Sequence, residues 1–189
     1  MSAQDSKLFV ISGPSGAGKG TLVTRVRERR SNLGLTVSAT TRAPRKGEVD
    51  GVNYFFLTRE EFDRRVANGE FVEWAEVHGN CYGTLVSEVK SKLASGSSLI
   101  LEIDVQGALQ VKERFPEAVL IFIKPPSLEV LRDRLVGRGT ETPETIELRM
   151  ANAADELALA DRYDDVVVND DLDRATDELV RVLDMHERI

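Results

Sequence analysis

The chain has 189 residues and a single cysteine, Cys81, which excludes an internal disulfide and suits a reducing compartment. Its two histidines, His78 and His186, stand far apart, and no Cys/His cluster has the spacing of a zinc site. No uninterrupted apolar run approaches the ~20 residues that cross a bilayer. The opening Met1–Lys7 is a polar lead with no signal-peptide apolar core. These absences lead us to expect a cytoplasmic protein with no membrane partner. Positive charge is also scarce, 25 Lys and Arg against 32 Asp and Glu for a net charge of −7. That balance argues against a nucleic-acid partner, which would need a basic face. Internal repeats, low-complexity tracts and long linkers are missing too. What remains, 41% hydrophobic and 30% charged residues, is ordinary for one α/β domain with small insertions.

The most informative segment present is Gly13-Pro14-Ser15-Gly16-Ala17-Gly18-Lys19-Gly20-Thr21, directly after the apolar run Leu8–Ile11. A strand, a glycine-rich loop and a helix in that order bind nucleotide phosphates. The glycines let backbone N–H groups turn inward around phosphate oxygens, and Lys19 adds a mobile positive charge. The stretch Thr21–Arg30 reads as the helix whose N-terminus faces those phosphates. After Lys19, where such loops usually carry a Ser or Thr for magnesium, stands Gly20. That leaves the direct metal ligands open, since Mg²⁺ keeps several waters.

Apolar strand patterns at Leu8–Ile11, Leu35–Ala39, Leu99–Val105, Val119–Ile123 and Val166–Val168 alternate with helical ones. They predict a mostly parallel sheet with helices on both faces. The final helix, about Asp171–His186, carries Leu172, Leu179, Val182 and Leu183 on one stripe. Two segments break the alternation. Residues 40–95 mix strand-like Asn53–Leu57 and Phe71–Val77 with helical Arg59–Ala67 and Leu85–Ala94, and read as an insertion with its own small sheet. Residues 1–39 and 96–189 then form the core. The glycine-flanked arginine segment at about 136–149 suits a mobile lid, with Thr142 capping a helix that has Pro143 in its first turn.

Three groups of polar residues carry candidate chemistry. Arg42 and Arg45 lie in a loop that Pro44 keeps from being helical, so both guanidiniums can converge on one anion, with Tyr54 and Tyr82 adding hydroxyls. A lone R-x-x-R is most often a solvated basic turn; a phosphate loop in the same chain favours the anion. Glu102 and Asp104 alternate on one face of Leu99–Val105 near its C-terminal end, where open α/β sheets bind ligands. Glu73 alternates with Phe71 and Ala75, and periodicity alone leaves it an ordinary half-buried polar residue. Arg132, Arg134, Arg138 and Arg149 read alone as a charged helix face; beside a bound nucleotide they supply the positive charge that phosphoryl transfer needs.

The motifs GPSGAGKGT, SATTRAPRKGEVDGVNY, GEFVEWAEVHGNCYGT, LEIDVQG, RLVGRGTETPETIELR and VVVNDDLD resemble guanylate kinases in order and spacing, over roughly residues 7–185. The resemblance implies a P-loop NTPase core, a GMP-binding insertion and a mobile lid. It implies transfer of the γ-phosphoryl of ATP to GMP, with dGMP as a further acceptor, and Mg²⁺ accompanying ATP. By the same resemblance Ser38, Glu73, Thr84 and Asp104 hold guanine, and Arg42, Arg45, Tyr54 and Tyr82 hold the GMP phosphate. Gly13 to Thr21 hold ATP, Asn169 lies near the adenine, and Lys19, Arg42, Arg138 and Arg149 carry the catalytic charge. The GKGT form with Gly20 is familiar from monophosphate kinases. Thr84 stands where Ser is frequent and keeps the hydroxyl; Glu102 stands where Asp is common.

The chemistry agrees. Guanine offers N1–H and its N2 amine as adjacent donors, which suit carboxylate acceptors, whereas adenine N1 is an acceptor that a carboxylate repels. Two alternatives remain: a kinase of this fold acting on another phosphorylated acceptor such as a ribose bisphosphate, and a non-catalytic guanylate-kinase-like binding module. Exposed helix faces leave room for a homo-oligomer without naming its interface.

Overall fold

The computed structural model describes residues 6–77, 79–137 and 142–187. In chain order the elements are β1 (Leu8–Ser12), α1 (Lys19–Arg29), β2 (Gly34–Leu35), β3 (Ala39–Thr40), β4 (Phe55–Phe56), α2 (Arg59–Ala67), β5 (Phe71–Val77), β6 (Asn80–Leu85), α3 (Val86–Ala94), β7 (Leu99–Glu102), α4 (Val105–Arg114), β8 (Val119–Lys124), α5 (Leu128–Gly137), α6 (Pro143–Leu157), a 3₁₀ turn (Ala160–Arg162), β9 (Asp165–Val168) and α7 (Leu172–Glu187).

The central sheet is parallel throughout, in the order β2-β7-β1-β8-β9. Its inner strands read as continuous apolar runs because helices cover both faces. Alternation within β1 and β8 divides the core. Phe9, Ile11, Ile121 and Ile123 pack towards Leu22, Val26, Leu179 and Leu183 of α1 and α7. Leu8, Val10, Leu120 and Phe122 face Val105, Ala108 and Val111 of α4 on the other side. Burying each such leucine contributes about 1.5–3 kcal/mol. The order reverses at β1, with β7 to one side and β8 to the other, so the loop leaving β1 opens at the crevice where such sheets bind ligands.

The second sheet, β4-β3-β6-β5, is mixed: β3 pairs parallel with β4 and antiparallel with β6, which pairs antiparallel with β5. A separate cluster of Ala39, Phe62, Phe71, Cys81 and Leu85 fills it. Helix α2 covers this sheet from an N-cap at Thr58, whose hydroxyl accepts the Glu61 N–H.

Local structure departs from the sequence expectations at four points. Leu35–Ala39 is not one strand: Gly34 and Leu35 pair with Leu99 and Ile100, and the chain then crosses to the second sheet, where Ala39 and Thr40 pair with Gly83 and Tyr82. Periodicity records which face a residue takes, not which sheet it joins. Strand β6 has no sequence signal of its own, holding Gly83 where a Cβ would sit 2.8 Å from the Glu73 carbonyl oxygen. Helix α1 begins at Lys19, two residues before the expected Thr21. Strand β7 stops at Glu102, so Asp104 does not share a strand face with it; Asp104 is instead the N-cap of α4, accepting the Gly107 N–H at 2.7 Å. The local cap outcompetes a longer strand because it satisfies a helix donor that otherwise has no partner.

Candidate functional site

Backbone geometry shapes the loop after β1. Gly13 has φ 141°, and a Cβ there would lie 2.2 Å from the Ile123 carbonyl oxygen, so only glycine lets the loop leave against β8. Gly18, at φ 90°, occupies the N-cap position of α1, and its hypothetical Cβ would meet the Asn169 amide at 2.4 Å. A glycine loop running into a helix N-terminus is the arrangement in which backbone N–H groups bind anions. Lys19 lies back over the loop, donating to the carbonyls of Gly13 at 2.6 Å and Pro14 at 3.1 Å. From α6, Arg149 donates to the Ser15 hydroxyl at 2.6 Å. Arg138 lies outside the described residues.

Asn169 does something the motif alone does not state. It is buried at the end of β9, and its amide donates to the Ala17 carbonyl at 2.8 Å, so it supports the loop from behind. Its own carbonyl accepts from Arg134 at 2.8 Å. Gly16, Gly18, Thr21, Arg134 and Asn169 line a cavity of about 480 Å³ on this side of the loop.

On the other side of α1, Gly20, Ser38, Tyr54, Thr84 and Glu102 line a second cavity of about 480 Å³. Glu73 of β5 is half-buried and accepts the Thr84 hydroxyl hydrogen bond from β6 at 2.8 Å. The pairing of β5 with β6 shifts register between Phe71 and Glu73. The Asp104 and Glu73 carboxylates flank Gly107, whose hypothetical Cβ would lie 3.4 Å from Asp104 Oδ1 and 3.6 Å from Glu73 Oε2. Burial, with the Asp104 charge adding to it, pushes the Glu73 carboxyl above its usual range, and the Thr84 hydroxyl partly offsets this. Two acceptors held this way suit a ligand edge that presents two donors.

Arg42 stacks over Tyr54, 5.5 Å from the ring centroid, and Tyr54 lies edge-on to Tyr82 at 6.2 Å. Its guanidinium also grips both oxygens of Glu48, at 2.9 and 3.0 Å. That contact holds the Glu48 carboxyl below its usual range and raises Arg42. Glu48 was missed in the sequence; its offset of three residues from Arg45, whose backbone N–H it also accepts at 2.7 Å, was the available signal. Arg45 itself is exposed beside this group. Of the second arginine cluster, Arg132 is drawn off to pair with Glu147 of α6.

Comparison with known proteins finds relatives over nearly the whole chain. A family model described as guanylate kinase matches residues 5–186. The chain belongs to the guanylate kinase family. It is 52% identical over 183 residues to a guanylate kinase of Halalkalibacterium halodurans, covering 97% of this chain and 90% of the relative. It is 56% identical over 178 residues to a guanylate kinase of Gloeobacter violaceus, covering 94% and 87%. The crystal structure of guanylate kinase from Anaplasma phagocytophilum superposes with a TM-score of 0.72 at 36% identity, covering 97% of this chain and 87% of that one. Among the described residues no helix is long and apolar enough to cross a membrane.

Proposed function

We propose that the chain is an ATP:GMP phosphotransferase that gives ADP and GDP, with dGMP as a second acceptor. The observation that carries this reading is the Glu73–Thr84–Asp104 constellation on one side of α1, with the glycine loop and Lys19 on the other. A phosphate loop alone serves any nucleoside triphosphate; a pair of carboxylates beside a hydroxyl selects a base edge rich in donors. With Ser38 they form the guanine pocket. Mispaired bases would leave buried acceptors unsatisfied, which supports discrimination of about 10⁴-fold or more.

Arg42, Arg45, Tyr54 and Tyr82 hold the GMP phosphate. That phosphate, with a second pKa of about 6, is largely ionised at neutral pH, so no side chain has to act as general base. One of its oxygens attacks the γ-phosphorus of ATP in line, the new P–O bond forms, and the bond to the bridging oxygen breaks to release ADP. The work of the chain is to align two anions and offset their repulsion. Lys19, now resting on loop carbonyls, turns to the triphosphate, joined by Arg149 and Arg138. The donor nucleotide lies along Gly13–Thr21, with Asn169 and Arg134 at its base end. Residues 40–95 act as the GMP-binding insertion in a core of 1–39 and 96–189. The segment at about 136–149 acts as a lid that keeps water from the γ-phosphoryl group.

The residues fit a magnesium ion that arrives with ATP. Gly20 supplies no hydroxyl, and among the described residues no cluster of three His, Cys, Asp or Glu could cage a metal. The Glu102 carboxylate, 3.5 Å from a hypothetical Cβ on Gly20, is an oxygen donor suited to a hydrated ion. Glu102 would hold it through water, and the ion would supply positive charge that offsets the negative charge of the triphosphate. A cytoplasmic location and the absence of nucleic-acid and membrane partners go with these substrates, and a homo-oligomer is compatible with them.

ADP release measured with ATP and each of GMP, dGMP, AMP, CMP, UMP and IMP tests the reading. Turnover is expected with GMP and dGMP; turnover of AMP in preference to GMP overturns it.

A further inference from the structure

Strand β5, which carries Glu73, is the outer strand of its sheet and has β6 on one side only. Phe71 lies opposite Leu85, and the Glu70 carbonyl accepts the Val86 N–H at 2.9 Å. Alternation along the strand then turns the Phe71 carbonyl to the open edge. Carbonyls on such an edge face water or recruit a further strand. Here Arg114, the last residue of α4, takes that place. Its Nη1 donates to the Phe71 carbonyl and, at 2.9 Å, to that of Gly69.

The corner that Arg114 grips is stiff. Helix α2 gives way to Gly69 at φ 68°, and the Glu70 N–H reaches back to the Arg65 carbonyl at 3.0 Å, a closed helix end that leads straight into β5. Glu73 follows Phe71 by two residues, about 7 Å of strand. Val72 between them is buried in one cluster with Val105, Ala108 and Val111 of α4. Apolar packing of this kind is non-directional, so it presses β5 on α4 without fixing where along the helix the strand sits. The two Arg114 bonds fix that. At the other end of the same helix, which is 10 residues long and so about 15 Å, Asp104 is the N-cap, and the Asp104 and Glu73 carboxylates flank Gly107. Helix α4 is thus a rigid spacer, with one carboxylate at its start and the strand of the other anchored at its end.

Resting on the reading of Glu73 and Asp104 as the guanine acceptors, we infer that Arg114 is a positioning residue for base selection: by tying the entry of β5 to the end of α4, it sets the spacing of the two carboxylates. That spacing matters because N1–H and the N2 amine are adjacent on one guanine edge. A correctly spaced pair reads both donors; a pair out of place reads one. IMP has the N1–H but no N2 amine, so it needs a single acceptor and can shift to suit it. Loss of Arg114 therefore costs GMP more than IMP. The glycine loop lies outside α4 and β5, so ATP use is unaffected.

Arg114→Met keeps an unbranched stem and removes the donors, whereas Arg114→Lys keeps a charged donor. ADP release with GMP and with IMP, together with thermal melting of each protein, tests the proposal. For Arg114→Met the KM for GMP should rise about three- to tenfold, the worth of one hydrogen bond, with kcat and the KM for ATP unchanged. The preference for GMP over IMP in kcat/KM should fall by the same factor, and Arg114→Lys should recover part of it. An unchanged preference, whatever the melting temperature does, or equal rises in the KM for GMP and for ATP, would assign Arg114 to support of the fold alone. Either result overturns the proposal and leaves wild-type use of GMP standing. A wild-type protein that does not prefer GMP to IMP overturns the guanine reading and this proposal together.

Discussion

The two sides of α1 are built on different physical devices. On the proposed donor side the groups arranged to hold a ligand are backbone: glycines at positive φ, the N-terminus of α1, and Asn169 supporting Ala17 from behind. On the proposed acceptor side they are side chains: Glu73 with Thr84 across two strands, and Arg42 clamped by Glu48 and stacked on Tyr54. Phosphates are alike in every nucleotide, and a ring of N–H groups serves them all. A base must be told from other bases, and only side chains with directed acceptors carry that information. The donor loop is therefore continuous in sequence apart from its support by Asn169, whereas the acceptor side is gathered from strands β5 and β6, the loops that flank β3 and precede β4, and a helix cap.

If this contrast is right, changes on the two sides fail differently. The largest effect belongs to Lys19→Ala, which removes the mobile charge from an otherwise intact backbone cradle. Turnover should fall about 10²–10³-fold while the melting temperature stays near wild type, measured by ADP release and thermal unfolding. Turnover within tenfold of wild type would mean the lysine is not the transition-state charge. Next comes Glu73→Gln, which keeps the Thr84 contact through its amide oxygen but replaces an acceptor with a donor. GMP use should fall about ten- to a hundredfold, as for a lost hydrogen bond to a charged group, with ATP affinity unchanged. Equal losses for both nucleotides would erase the distinction between the sides.

The same contrast explains what could be read from the residues. The phosphate loop, β1 and the amphipathic α7 with Leu179 and Leu183 inward follow from local spacing, as does the cap at Thr142, which accepts the Thr145 N–H. Strand β6 did not, because Asn80 and Gly83 interrupt a short pattern whose pairing depends on β3 and β5 beside it. Nor did the crossing between sheets after Leu35, the capping role of Asp104, or the Glu48 clamp, each of which depends on a partner chosen by the fold. Of the expected acceptor residues, Arg42, Arg45, Tyr54 and Tyr82 stood out as an anion group by residue type and Asp104 by its place near a strand end, whereas Ser38, Glu73 and Thr84 were named only through the resemblance of whole motifs.

The smallest expected effect is a test of the acceptor side without any ligand. Burial raises the Glu73 carboxyl above its ordinary value, so the fold favours the protonated form. A raised carboxyl contributes stability that is complete below the ordinary glutamate value of about 4.3 and is lost as pH rises through the raised one. Glutamine imitates the protonated side chain at every pH. The ligand-free Glu73→Gln protein should therefore match wild type at the acid end of that window and melt a few degrees higher at neutral pH. Saturating GMP should reverse the order, because the guanine donors need the ionised acceptor that the empty pocket disfavours. Thermal melts of both proteins across the window, with and without GMP, read this directly. A variant less stable than wild type at neutral pH without GMP would mean that the carboxylate is part of the fold's own support, and the acceptor side would then differ from the donor side in less than its chemistry suggests.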